Sequence, residues 1–379
     1  MVGELFDRLK KLPKREQESF LVIEDLGFGF GVTRAKIRNK DKKINVYGTG
    51  FVENFEGIKK PLFPVDKVIL AVGSDKAVTI ESTIHLKRSE PDEPISETEI
   101  DTLVFRGLWE FLNRYRGTVS KKLGAHDLDL ILAGAEIREV SLGQSRVFNP
   151  QGFKGANLYF RYRGTFIHRD LEALIEKMEH WGREKILVES GGILGLSVPP
   201  PSDYFVLVGD KVTNVFANGE EDWLHLKVLP WGSGLILRKI AVFFGVSTGV
   251  AAEILLSLDK EPPSGKIKKA IEGMIREEIQ NLLKLLPRSG GRGRQPDFYF
   301  GFNLPSVLVG KFLGPRMKLV NFKNLLTEQG YGVIMNQESA PFLNADNVLA
   351  FITHVYSPPQ YGFLNDLLAR RARWLTAKH

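Results

Sequence analysis

The sequence of 379 residues predicts an α/β chain built as two related lobes. Three observations carry this reading. A strand meander with Gly-rich turns opens the chain, a second meander of the same kind begins near Tyr204, and amphipathic helices follow each.

Taken in order, Phe20 to Ile23 reads as a short strand, GFGFG (Gly27 to Gly31) as a loop or bulge, and Val32 to Ile37 and Ile44 to Gly48 as further strands. The span Lys67 to Ile84 holds two more β runs, VILAVG and AVTIEST. An acidic, Pro-containing stretch then leads into a helix reaching about Arg114, with Ser96 and Glu99 in capping-box spacing. Leu128 to Ala133, Ile137 to Leu142 and Leu158 to Arg163 read as strands, with a turn in FNPQGFKG, and close a small α+β module. Leu171 to His180 is a helix, Lys185 to Val188 a strand, and VPPPSD a stiff joint to the second meander, Tyr204 to Phe216 and Trp223 to Leu229. The apolar run Ile240 to Leu258 is long enough to cross a membrane, but Val246-Ser247-Thr248-Gly249 reads as a turn and Glu253 is costly in lipid, so it predicts two buried helices. Lys266 to Leu286 is a charged amphipathic helix, RSGGRGRQP a connector, FYFGF a strand, and Leu304 to Leu313 a helix or turn.

Composition excludes several classes. Hydrophobic residues make up 43% and charged residues 26% of the chain, which is ordinary for a folded protein and leaves no disordered domain. The chain has no cysteine, so disulfides, thiol catalysis and thiolate metal sites are absent. Its seven histidines lack metal-ligand spacing, and no Gly-x-Ser-x-Gly elbow occurs. GFGFG lacks the spacing and the following helix of a dinucleotide fingerprint. No enzyme activity is read from these residues.

The two ends carry the charge. Of a net +7, six charges fall in residues 1–15 and 361–379, so the body is nearly neutral and offers no broad nucleic-acid surface. In MVGELFDRLKKLP, Val2, Leu5, Phe6, Leu9 and Leu12 share a helical face, and no apolar region or cleavage site of a signal peptide follows. At the other end, behind Pro358 and Pro359, Phe363, Leu367 and Trp374 align beside Leu364, Leu368 and Leu375, with Arg370 and Arg373 on the flanks and Arg371 inside the apolar stripe. That pattern suits a helix packed on its own domain and equally an anchor on an anionic membrane surface; its place behind a Pro-rich tether favours the anchor.

LKVLPWGSGLILRKIAVFFGVSTGVAAEILL (Leu226 to Leu256), FNPQGFKG followed by NLYFRYRGTFI, INVYGTG and KILVES fall in the order expected of one family. The sequence resembles the bacterial cell-division protein FtsA and, more distantly, the pilus-assembly protein PilM. The resemblance implies an actin-like (ribonuclease-H-like) two-lobed α/β fold with an inserted small α+β subdomain of SHS2 type. It divides the chain into an N-terminal amphipathic helix (1–15), a first lobe (16–84, 169–202 and 344–357), the insertion (85–168), a second lobe (203–343) with an outer helical part at about 259–295, and a linker with the membrane-targeting helix (358–379).

The resemblance also implies a nucleotide cleft made from two Gly-rich hairpin turns that hold phosphates and Mg²⁺ through backbone N–H groups. Asp25, Gly27 and Gly29 stand in the first turn, Gly209 and Asp210 in the second, Gly301 at the adenosine loop and Glu253 in the Ala-Glu helix start. Phe28, Phe30, Phe300 and Phe302 replace small or polar residues of the pattern, which predicts weak or absent ATP and Mg²⁺ binding. The alternative, that Asp25 and Asp210 still hold Mg²⁺ with ATP, stays open. As a function the resemblance implies a cytoplasmic, membrane-tethered scaffold on the inner face of the cell membrane, self-associating into filaments and binding the FtsZ C-terminal tail near the helix of Lys266 to Leu286. A PilM-like protein, clasping the cytoplasmic tail of a pilus membrane protein, is the other reading and needs no lipid helix of its own.

Overall fold

The computed structural model describes residues 17–26, 29–38, 40–178, 180–196, 198, 203–218, 223–260, 264–288, 295–302, 309–320, 322–328, 330–335, 345–356 and 361–376. The amphipathic segment expected at 1–12, together with Gly27, lies outside these residues. Packing divides the chain into two compact units, one of residues 1–69, 180–185 and 197–352, the other of 70–179, 186–196 and 353–379.

The meander expected at the start is present as β1 (Gln17–Asp25), β2 (Phe30–Arg38) and β3 (Lys43–Val52), paired antiparallel. Phe20 to Ile23 are wholly buried, the mark of a central strand covered on both faces. With β4 (Val65–Val72), β9 (Gly182–Glu189) and β15 (Gly332–Met335) they form a sheet of order β15-β3-β2-β1-β4-β9. The second meander, β10 (Tyr204–Val208), β11 (Thr213–Asn218) and β12 (Trp223–Leu229), is again antiparallel, and β13 (Phe298–Phe302) and β14 (Met317–Leu319) add in parallel beside β10. The resulting order, β12-β11-β10-β13-β14, matches the run β3-β2-β1-β4-β9 of the first sheet. One strand plan is used twice.

Helices α4 (Gly234–Phe244), α5 (Thr248–Lys260) and α6 (Gly265–Leu285) pack on the second sheet. The long apolar run is broken at Gly245, whose φ of 66° suits a helix stop that any side chain would strain. Among the described residues no single helix is long and apolar enough to cross a membrane; α4 and the first turns of α5 reach that length only as a pair bent by 99°. The two helices read from sequence are therefore present, but Val242 and Phe243 are exposed, so their burial is one-sided.

The α+β module forms the larger part of the second unit. Here β5 (Ala77–Lys87), β8 (Asn157–His168), β6 (Leu130–Leu142) and β7 (Ser145–Arg146) make a sheet in that order, covered by α1 (Glu97–Leu123). The module starts earlier than the sequence implied: AVTIEST pairs with β8 from Ala77↔Ile167 onward, so the boundary at residues 84 and 85 falls inside a strand. The two short runs around Ala133 and Ile137 are one strand, bent by register shifts at Leu132/Gly134 and Ile137/Glu139. Helix α1 also outruns its expected end at Arg114, from Ser96, whose hydroxyl caps the Glu99 N–H, to Gly124 in the left-handed region. It buries Ile100, Leu103, Val104, Leu108 and Phe111, and Gly107 leaves room for Tyr162, whose hydroxyl donates to the Val104 carbonyl at 3.0 Å.

The remaining helices are α2 (Glu172–Lys177), α3 (Ser190–Leu196), α7 (Phe322–Glu328), α8 (Ala345–Tyr356) and α9 (Gly362–Thr376).

Candidate functional site: the hairpin turns and the terminal helix

The first phosphate turn joins β1 to β2, with Asp25 opposite Phe30 in the ladder. Leu26 donates its N–H to the Gly29 carbonyl at 2.9 Å, which closes the turn on itself. Its side chain, 5% exposed, enters the core of the second sheet beside Val206, Val208 and Trp231. Gly29 is fixed by packing: a Cβ there would lie 2.4 Å from the Phe51 ring and 2.7 Å from the Val52 carbonyl oxygen. The Phe51 ring thus occupies the space beside Gly29, in a turn whose Gly27 and Phe28 lie outside the described residues.

The second turn is spent in the same way. Gly209 donates its N–H to the Val212 carbonyl at 3.0 Å, and its own carbonyl accepts from the Ser233 backbone at 2.9 Å and hydroxyl at 3.1 Å. The Asp210 carbonyl accepts from Gly234 N–H at 2.9 Å, at the start of α4. Gly232 and Gly234 allow this approach, since Cβ atoms there would fall 2.1 Å from the Asp210 carbonyl oxygen and 2.4 Å from its Oδ1. Asp210 therefore serves the N-terminus of a helix, whose first N–H groups need acceptors.

The other two candidates do not join these turns. Glu253 lies exposed on α5. Gly301 sits inside β13, opposite Leu207 and between the buried rings of Phe300 and Phe302, so the strand read at FYFGF is present and Gly301 stands within it. A β-strand alternation of large aromatics explains it.

The structure adds Glu24, which the sequence reading passed over for its neighbour Asp25. Glu24 is 5% exposed, and burial pushes its carboxyl up to about 7, against a hydrogen bond from Asn347 Nδ2 to Oε1 at 3.1 Å that lowers it, with Asp25 raising it further. Its Oε2, the Asn347 Oδ1 and the Thr33 hydroxyl have no hydrogen-bond partner among the described residues. A second buried carboxylate, Glu189 at the end of β9, is raised by burial but is held by Ser74, Thr79 and the Gly192 N–H. Among the described residues no group of three His, Asp or Glu side chains could hold a metal ion.

The terminal helix α9 is placed differently from the membrane anchor expected. Leu364, Leu367 and Leu368 are 0%, 2% and 0% exposed, sealed in the core of the α+β module with Tyr361. Asn365 accepts from the Ile137 N–H at 2.6 Å and donates to the Ile137 carbonyl at 3.2 Å. The Tyr361 hydroxyl accepts from Arg146 Nε at 3.0 Å. Arg371, the cation that spoiled the lipid-facing stripe, is an ion-pair partner of Asp101 on α1 and lies 5.5 Å from the Phe105 ring. Phe363 and Arg370 remain exposed; the side chains of Trp374 and Leu375 lie outside the described residues. Three of the leucines meant for lipid are already spent, because an apolar face buried in protein gains nothing by moving into acyl chains.

No family model matches the sequence, and no curated protein matches it. Solved structures do. The chain is similar to a PilM–PilN type IV pilus biogenesis complex at 12% identity and TM-score 0.43, over 95% of this chain and 99% of that one. It is similar to a Bacteroides thetaiotaomicron protein with an actin-like ATPase fold at 9% identity and TM-score 0.37, over 89% and 97%. It is also similar to the cytoplasmic domain of EpsL, an inner-membrane component of the Vibrio cholerae type II secretion system, at 8% identity and TM-score 0.34, over 88% and 95%. Two sheets share one strand order, with an α+β module let into the first half of the chain, as the actin-like resemblance implied.

Proposed function

We propose that the chain is a non-catalytic actin-like scaffold that works by holding a protein partner, in the manner of PilM-like proteins that clasp the cytoplasmic tail of a membrane protein. The observation that supports it most is Leu26 seated in the core of the second sheet, where an ATP-binding relative keeps an open phosphate turn. Gly209 and Asp210 support it from the other side, with their backbone groups engaged inside the protein. The FtsA-like reading, a filament that tethers FtsZ to the inner membrane, draws on a free C-terminal lipid helix, and the burial of Leu364, Leu367 and Leu368 counts against that helix.

Calorimetry on the full chain tests this. Titration with Mg-ATP is expected to give no heat at micromolar ligand, and a micromolar dissociation constant would overturn the proposal. In a second arm, a synthetic FtsZ tail peptide is expected not to bind, and saturable binding would restore the FtsA-like reading.

A further inference from the structure

The loop between β3 and β4 reads Lys59-Lys60-Pro61-Leu62-Phe63-Pro64 and presents two large apolar side chains to solvent, Leu62 at 96% and Phe63 at 83% exposure. Both feet of the loop are fixed. Asn54 caps the short helix at Phe55–Gly57, the Phe55 ring stacks on Trp181, Ile58 N–H bonds the Phe55 carbonyl at 3.1 Å, and Val65 N–H bonds the Trp181 carbonyl at 3.0 Å. Pro61 is buried and Pro64 follows the tip, so two fixed φ angles hold Leu62 and Phe63 outward.

An exposed apolar pair on a stiff loop needs an occupant, and charge selects it. Lys59 and Lys60 are both exposed directly before the tip. Strand β1 starts at this same end of the sheet. There the Ser19 N–H and hydroxyl bond Asp66 Oδ2 at 2.9 and 2.8 Å, three residues past Phe63. Arg183 also lies here, 4.0 Å from Asp66. Apolar residues that reach acyl chains, directly preceded by two exposed lysines that reach phosphates, match an anionic bilayer.

We propose that the Lys59 to Pro64 loop is a membrane-docking wedge, with Leu62 and Phe63 entering an anionic lipid surface and Lys59 and Lys60 resting on its headgroups. This stands apart from the nucleotide reading and moves the lipid contact from the terminal helix to the loop between β3 and β4.

Vesicle sedimentation of the full chain tests it, with phosphatidylcholine vesicles containing or lacking phosphatidylglycerol. Wild type is expected to sediment with the anionic vesicles only. The double variant Leu62→Ser with Phe63→Ser is expected to bind roughly tenfold or more weakly, and Lys59→Glu with Lys60→Glu to lose most of its dependence on salt. Phe63→Trp is expected to shift its emission to the blue on adding anionic vesicles. Equal sedimentation of wild type and the serine variant overturns the proposal, as does a wild type that stays in the supernatant. Loss of binding only on deleting residues 1–15, with the serine variant unaffected, assigns the contact to that segment and also overturns it. All sites changed are exposed, so a thermal melt matching wild type confirms that the variants fold.

Discussion

Asn365 serves Ile137 as a neighbouring strand would, satisfying its N–H and its carbonyl with one side-chain amide. β7 pairs with β6 only at Ser141 and Leu142, so the edge of β6 at Ile137 is open to this substitute. The pairing explains why a helix that looks free in sequence is docked: it closes an edge that would otherwise leave two part-buried backbone groups unmet.

Asn365→Ala removes both bonds, and the expected cost is about 1–3 kcal/mol of stability, read as a lower urea midpoint. Asn365→Asp keeps the acceptor for the Ile137 N–H but sets a carboxylate against the carbonyl, so it should recover only part of that loss.

Leu368→Ala, in the same helix, opens a cavity in the module's core and is expected to cost about 2–5 kcal/mol. Anionic-vesicle binding measured at a temperature where the variant stays folded should be unchanged. A selective loss of vesicle binding with stability intact would return the helix to the membrane.

Gly232→Ala places a Cβ against the Asp210 carbonyl, where 2.1 Å is available. Backbone meets backbone there, and the expected destabilisation is about 2–4 kcal/mol, checked by thermal unfolding. A small effect would show that the second hairpin can lift away from α4, which is the movement an open phosphate turn requires.

Stability should depend on pH through two groups of opposite sign. Glu24 has a folded-state value of about 7 against an ordinary 4.5, so the folded chain keeps a proton that the unfolded chain gives up. Its contribution therefore falls as pH rises from 4.5 through 7, by about 3 kcal/mol in all, and Glu24→Gln should flatten that slope. His354 is pulled down from 6.5 to about 3 by burial, then by Arg163 and Arg138. It remains neutral in the folded chain while the unfolded chain takes up a proton, so stability is lost as pH drops from 6.5 towards 3. His354→Asn should blunt the acid loss and leave the neutral and alkaline range alone. Urea midpoints across pH 3–9 separate the two.

The pattern of the residues was enough for most elements. Alternating and continuous apolar runs gave both meanders, Ser96 with Glu99 gave the start of α1, and Val246-Ser247-Thr248-Gly249 gave the break between α4 and α5, because each rests on bonds made within a few residues. The site was less legible. Asp25 and Glu24 are adjacent acids, and nothing local says that Glu24 is the one sealed beside Asn347, 323 positions away. The strand at FYFGF was read from its aromatics, but its partner, with Gly301 opposite Leu207, was set only by the tertiary fold.

The amphipathic face of α9 was fully determined by sequence; what covers it was not. Leu364, Leu367 and Leu368 are equally content against acyl chains or against α1 and β6, since burial of hydrocarbon is non-directional. Only the folded chain brings the open edge at Ile137 to Asn365 and Asp101 to Arg371, and those directional bonds between distant residues decide that the helix closes the module.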